Sequence, residues 1–247
     1  MTETPLLEMR NINKSFGPVH VLHDVDFSVY EGQVTALVGD NGAGKSTLVK
    51  CLAGIHQIDT GEILFDGNHV TIHGPRDAAA LGIEIVYQDL ALADNLPIGD
   101  NIFLGREPIK KLFGFLPVID RAQMAKVAQE TMHQLDFHVV RLDAPVSAFS
   151  GGQRQAVAIG RAMYWNARLV IMDEPTAALG VPEQRKVIAL IQSLKAQGKG
   201  IIFISHNLID IFEVADRIVV LRRGKEVGER RPKETTGDEI VRLMVGK

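Results

Sequence analysis

The apolar run Val34-Thr35-Ala36-Leu37-Val38 leads directly into Gly39-Asp40-Asn41-Gly42-Ala43-Gly44-Lys45-Ser46. Few folds accommodate that pairing. The second string fits the Walker A pattern, G-x-x-x-x-G-K-[ST], and the run before it reads as a buried strand, the context in which the pattern means a phosphate-binding loop. Glycines let the backbone curl so that successive N–H groups point into one concavity, and the helix expected after the loop adds the positive end of its dipole. Lys45 is placed to reach the β- and γ-phosphates of a nucleotide, and the Ser46 hydroxyl to ligate Mg²⁺.

Composition agrees with a nucleotide-binding protein without suggesting one. A chain of 247 residues suits one α/β domain, or a domain with a sub-domain. Its 27 basic and 30 acidic residues form no basic stripe or tail, so nucleic acid is not expected as a partner. The one cysteine, Cys51, falls in the helix after the loop, where it reads as a small buried hydrophobe. The start, Met1-Thr2-Glu3-Thr4-Pro5, lacks the features of a signal peptide, and no apolar stretch approaches about 18 residues. A cytoplasmic protein is expected.

Three parts follow one another along the chain. Leu6 to Ile12 and Val19 to Val29, joined at Phe16-Gly17-Pro18, read as antiparallel strands ahead of the Walker strand, and Gly61 to Gly67 and Ile83 to Tyr87 read as further strands. From about Pro97 to Trp165 strand signals vanish, and Arg121 to Phe137 carries helical spacing at Met124, Val127, Ala128, Thr131, Met132 and Leu135. Then come a strand over Arg168 to Met172, a helix over Pro182 to Ala196, a strand over Ile201 to Ile204, a helix over Asn207 to Ala215 and a strand over Arg217 to Leu221. Such alternation implies a mostly parallel sheet with ligands at the carboxyl ends of its strands.

Two carboxyl ends carry further chemistry. Leu169-Val170-Ile171-Met172-Asp173-Glu174 is an apolar strand ending in two acids, a Walker B pattern. Asp173 is expected to hold Mg²⁺ and Glu174 to accept a hydrogen bond from an attacking water. Ile201-Ile202-Phe203-Ile204-Ser205-His206 repeats the geometry with a histidine at the top of the strand. In Phe149-Ser150-Gly151-Gly152-Gln153, Ser150 is a good N-cap for the helix that follows, which makes a second anion-ready helix N-terminus. One chain does not need two phosphate sites, so the second could serve another copy of the protein.

These motifs, in this order, resemble the ATP-binding cassette (ABC) ATPases over essentially the whole chain. The usual L-S-G-G-Q signature stands here as Phe149 to Gln153, and the order runs Walker A, a Q-loop glutamine at Gln88, signature, Walker B and a switch histidine at His206. The resemblance implies a P-loop NTPase core of residues 1–88 and 165–247, with an N-terminal antiparallel β sub-domain and a helical sub-domain inserted over 89–164. It implies that Phe16 stacks on adenine and that Gly39, Asp40, Asn41, Gly42, Ala43, Gly44, Lys45, Ser46 and Thr47 hold the phosphates of ATP. Mg²⁺ would be held by Ser46, Gln88 and Asp173. The catalytic residues would be Glu174, His206, Gln88 and Lys45. Ser150, Gly151, Gly152 and Gln153 of one copy would close on the γ-phosphate held by the other in a head-to-tail homodimer.

The strings Thr176-Ala177-Ala178-Leu179 and Asp100 to Glu107 are similar to ATPases of bacterial monosaccharide importers of the ribose, xylose and fructose type, and the single cassette is like the fructose-type members. Partners implied are a membrane-spanning permease and, indirectly, a periplasmic substrate-binding protein, with the chain peripheral on the cytoplasmic side of the inner membrane. Ala177 and Gly180 depart from the family's usual S-A-L-D, yet the phosphoryl-transfer residues are all present, so an active ATPase is expected. A soluble cassette ATPase of DNA repair or translation shares the ATP motifs, but the coiled-coil insertions, zinc motifs or tandem cassettes usual there are not visible. A regulatory module that only holds ATP is suggested by Gly180 and opposed by Glu174 and His206.

Overall fold

The structure, a computed structural model, describes residues 4–135, 141–177 and 179–246. Its elements in chain order are β1 (Leu7–Phe16), β2 (Val19–Val29), β3 (Val34–Val38), α1 (Lys45–Leu52), β4 (Thr60–Phe65), β5 (Asn68–Val70), α2 (Pro75–Ala80), β6 (Ile83–Val86), α3 (Ile98–Phe103), β7 (Ile109–Leu112), β8 (Leu116–Ile119) and α4 (Arg121–Gln134). They continue with α5 (Gly151–Tyr164), β9 (Leu169–Asp173), α6 (Val181–Ala196), β10 (Gly200–Ile204), α7 (Leu208–Val214), β11 (Arg217–Arg222), β12 (Lys225–Arg230) and α8 (Gly237–Val245). The chain divides into two compact units. One comprises Met1–Ile85, Ala167–Pro175 and Ile188–Lys247; the other comprises Val86–Asn166 and Thr176–Val187.

The first unit is built on a sheet of order β12-β11-β3-β10-β9-β6. β11, β3, β10 and β9 run parallel, with registers such as Arg217↔Thr35, Ile201↔Val34 and Gly200↔Leu169. Every residue of β3 and of β10 is buried, which is why both read as mostly apolar runs instead of alternating ones, with Thr35 the polar residue within β3. A second sheet, β2-β1-β4-β5, is antiparallel. Leu7, Met9 and Ile12 point into its core, and the register shifts between Met9 and Ile12, where Asn11 adopts φ 50 and donates its N–H to Asp26 Oδ1 at 2.8 Å. That bulge accounts for the merely partial alternation of the first strand.

The second unit is helical, with one addition. Ile98, Ile102 and Phe103 of α3, Met124, Ala128 and Met132 of α4, and Val157 and Ile159 of α5 are all buried. Asn101, itself buried, ties the preceding loop to α3: its Oδ1 accepts from Ala93 N at 2.7 Å and its Nδ2 lies 3.1 Å from the carbonyls of Ala93, Leu96 and Pro97. α4 ends at Gln134, and Phe137, the expected end of that helix, lies outside the described residues. The addition is the hairpin β7–β8, paired Ile109↔Ile119 through Leu112↔Leu116. It turns on Phe113 and Gly114, at φ 54 and φ 83. Seven of its eight strand residues are exposed, so no inward face imposes the alternation by which a strand is recognised.

Among the described residues, no helix is long and apolar enough to cross a membrane. Cys51 is 1% exposed within α1, and burial pushes its thiol up to about 11. Only the thiolate is nucleophilic. The native protein is therefore expected to resist a thiol-reactive dye at mildly alkaline pH and to react fully once unfolded in urea. Rapid stoichiometric labelling of the folded protein would mean that α1 does not pack as described.

Candidate functional site

Because β3 is enclosed by β11 and β10, its carboxyl end opens directly into the Gly39–Gly44 loop. At Gly39 a close backbone approach leaves no room for a side chain, and at Gly44 the left-handed backbone itself favours glycine. A Cβ on Gly39 would stand 2.3 Å from the Leu221 carbonyl oxygen, and Gly44, at φ 106, would place one 2.8 Å from Leu22 Cδ2. The loop is braced by the turn between β11 and β12, where Gly224 N donates to the Ala43 carbonyl at 2.9 Å and Arg223 adopts φ 48. That brace was not anticipated from the sequence. The Arg223-Gly224 pair marks a turn between β11 and β12, but the bond from Gly224 to Ala43 joins segments far apart in sequence and has no local signal.

α1 starts at Lys45 with no side-chain cap and no acid in its first turn. Its first amides have no partner within the helix and, with the dipole, favour an anion. Lys45 Nζ donates to the carbonyls of Gly39 at 2.6 Å and Asp40 at 3.1 Å, which draws the ammonium back over the loop. Burial lowers the Lys45 pKa, and the carboxylates of Glu174, Asp173 and Asp40 act against that shift. All four groups belong to the first unit. Ser46 is exposed and Thr47 half-buried on the first turn.

At the end of β9, Asp173 is half-buried and Glu174 adopts φ 51, its N–H donating to the Ile204 carbonyl at 2.9 Å. Glu174 Oε2 lies 2.9 Å from His206 Nδ1. The distance suits an ion pair, but the angles are not those of a hydrogen bond, and Oε2 is left buried without an aligned partner. His206 itself is exposed, next to buried Ser205, whose Oγ accepts from Asn207 N at 3.0 Å. Lys45, Asp173, Glu174 and His206 thus gather at the ends of adjacent parallel strands. Phe16, at the end of β1, is 41% exposed, with His56 edge-on at 4.9 Å and Lys14 Nζ 5.4 Å from the ring centre.

The remaining expected site residues lie in the second unit. Gln88 is exposed on the turn after β6. Ser150 caps α5 in a reciprocal box: its Oγ accepts from Gln153 N at 3.3 Å, and Gln153 Oε1 accepts from Ser150 N at 3.0 Å. Two of the helix's end donors are satisfied in this way, and the amides of Gly151 and Gly152 are not part of the box. Glu183 lies against both Gly152 and Gly180: a Cβ on Gly152 would meet its Cγ at 2.7 Å, and one on Gly180 would meet its Oε2 at 2.7 Å. A carboxylate therefore already stands beside Gly180, although residue 180 has none. Gln184 anchors the same loop through Nε2 to the Leu179 carbonyl at 3.0 Å; Ala178 lies outside the described residues.

Ser150→Ala removes the hydroxyl half of the box and is expected to destabilise the protein by about 1 kcal/mol. The measurement is the urea midpoint by circular dichroism, and an unchanged midpoint would show that the box does not hold α5.

Comparison with known proteins adds the family. Residues 22–177 match the family described as ABC transporter. The chain is 46% identical over 239 residues to the xylose/arabinose import ATP-binding protein XylG of Sulfolobus acidocaldarius, covering 97% of this chain and 93% of that protein. It is 43% identical to the fructose import ATP-binding protein FrcA of Rhizobium meliloti, covering 100% of this chain and 96% of the other. Against the ribose import ATP-binding protein RbsA of Chromobacterium violaceum it is 46% identical over 97% of its own length, but spans only 47% of that protein. Among solved structures, the ADP conformation of MJ1267, an ATP-binding cassette of an ABC transporter, superposes with a TM-score of 0.82 at 26% identity, covering 99% of this chain and 100% of that one. With a Walker A loop, a Walker B strand end and a capped signature helix in the family's order on the family's fold, this chain belongs to the ABC transporter family as one of its ATPase cassettes.

Proposed function

We propose that the chain is the ATP-hydrolysing subunit of a monosaccharide importer, acting as a homodimer of cassettes on the cytoplasmic side of the inner membrane beneath permease subunits that a periplasmic substrate-binding protein supplies. What supports the sugar is the named role of relatives that the chain matches over nearly their whole length, xylose/arabinose import for one and fructose import for another. What carries the hydrolytic reading is the gathering of Lys45, Asp173, Glu174 and His206, with Glu174 Oε2 buried and lacking an aligned donor. A water on the γ-phosphoryl would provide that donor.

In this mechanism Phe16 stacks on the adenine, and the amides of Gly39 to Thr47 cradle the phosphates. Lys45 exchanges its two loop carbonyls for β- and γ-phosphate oxygens. Glu174 orients a water for in-line attack and accepts its proton; the new P–O bond forms as the bond to the β-γ bridging oxygen breaks, giving ADP and inorganic phosphate. His206 steadies the Glu174 carboxylate and the γ-phosphate, and Ser150 to Gln153 of the other copy close over the same phosphate. Catalysis is positioning and charge stabilisation throughout.

Ser46 and Asp173 of the first unit and Gln88 of the second are oxygen donors of the kind Mg²⁺ takes, since it binds few protein groups, keeps several waters and takes phosphate oxygens; among the described residues no cluster of three or more His, Cys, Asp or Glu offers a metal its own cage. When bound it neutralises charge on the β- and γ-phosphates. Gln88 and the helical segment behind it would couple the cassette to the permease.

Two variants test the reading together. Lys45→Ala is expected to weaken ATP binding by about tenfold or more, about 1.4 kcal/mol, and to abolish hydrolysis, because it removes the mobile cation aimed at the phosphates. Glu174→Gln is expected to bind ATP as the wild type does while hydrolysing it about a hundredfold more slowly or worse. Calorimetry and phosphate release are the measurements. Wild-type affinity in Lys45→Ala, or undiminished turnover in Glu174→Gln, removes the corresponding assignment. Uptake of labelled xylose, ribose and fructose by cells expressing the chain with its permease tests the sugar, and no uptake of any of them overturns it.

A further inference from the structure

Half of the large apolar side chains that the described residues expose lie in one short stretch. They are Leu104, Ile109, Leu112, Phe113, Phe115, Leu116 and Ile119, and the most exposed are Phe113 at 83% and Phe115 at 77%, at the tip of the β7–β8 hairpin. An isolated two-stranded hairpin is at best marginally stable, and a concentrated exposed apolar surface marks a place where something binds.

The distribution of these side chains narrows what that is. Along a strand successive side chains alternate between faces, so the cross-strand pair Ile109/Ile119 and the pair Leu112/Leu116, three positions along each strand, lie on opposite faces. Both pairs are exposed, as is the tip between them. A flat protein surface covers one face and leaves the other wet, whereas a fluid interface surrounds both. Charge narrows it further. Residues 109–119 contain Lys110 and Lys111 and no acid, in a chain of net charge −3. Lys110 is held by Asp120 at 3.2 Å, and Lys111 is exposed. A cationic, aromatic-tipped apolar wedge has the chemistry of segments that settle at the boundary between anionic headgroups and acyl chains. The outer edges of a two-stranded ribbon keep unpaired backbone groups, which limits entry to the hydrated headgroup depth.

We propose that the Phe113–Phe115 tip of the β7–β8 hairpin dips into the surface of an anionic lipid bilayer, with Lys111 against the headgroups. This contact goes beyond the proposed importer role, since it requires neither the permease nor nucleotide.

The test is co-sedimentation of the purified full chain, without permease, on vesicles of phosphatidylcholine alone or mixed with phosphatidylglycerol. Wild-type protein is expected to pellet with the anionic vesicles, less so at high salt. Phe113→Ser with Phe115→Ser is expected to lower partitioning about tenfold or more. Lys111→Glu should lower it about fivefold on anionic vesicles only. Unchanged ATP hydrolysis in solution certifies that each variant is folded. As a second reading, Phe115→Cys carrying an environment-sensitive dye should shift to the blue on anionic vesicles; Cys51, being buried, stays unlabelled. Wild-type protein that ignores both vesicle types, or a double variant that pellets like the wild type, overturns the proposal. So does a double variant whose only defect is loss of co-purification with the permease, which would make the hairpin a protein-docking element.

Discussion

The site depends on one steric fact: β3 is buried along its whole length between two parallel neighbours, and its exit must pass the Leu221 carbonyl with no side chain in the way. Gly39 meets that requirement. The curl that follows turns the backbone into the amino end of α1, and the Gly224 to Ala43 bond holds the curl from the far side. A loop fixed at both ends by backbone presents its amides in one arrangement before any ligand arrives, so little ordering cost is left for binding. Strand burial, which is a matter of core stability, is in this way converted into a preorganised anion cradle.

Electrostatics at the same place are balanced against one another. Burial disfavours the charge on Lys45, Glu174, Asp173 and Asp40 act against that effect, and two loop carbonyls accept its hydrogen bonds. Those carbonyls are weak partners that a phosphate can displace. Had a carboxylate held Lys45 directly, nucleotide would have to break a charge-assisted bond to recruit it. The acids instead oppose the effect of burial on the lysine, while its hydrogen bonds go to carbonyls that a phosphate can replace.

Much of this was legible in the sequence because it follows from spacing along single strands and helix starts. Walker A, Asp173, Glu174 and His206 each sit at or just past the carboxyl end of a largely apolar run, and those runs are apolar because the strands are buried on both faces. The Ser150 cap was readable for a related reason, since a capping box is written within four residues. What was not legible has little burial to shape its sequence: β5, β7 and β8 have no buried residue, and β12 carries an exposed-to-intermediate mixture. The bulge at Asn11 blurred β1, and the brace at Gly224 joins segments far apart in sequence, so no local pattern could disclose it.

The two anion-ready helix starts differ in a way that bears on their proposed partnership. α1 has no cap and no acid in its first turn, so no group of its own occupies the amides that face an incoming phosphate. At α5 the box consumes two donors, and Glu183 lies against Gly152 with its carboxylate turned toward Gly180. A negative group so near weakens the attraction of that helix start for a free anion. α5 alone is therefore a poor site for a free phosphate; in the proposed head-to-tail pair it would become effective when the phosphate is delivered already bound and partly neutralised by Lys45 of the other copy. In that proposed pair, an asymmetry of this kind would favour closure on nucleotide over closure on free phosphate.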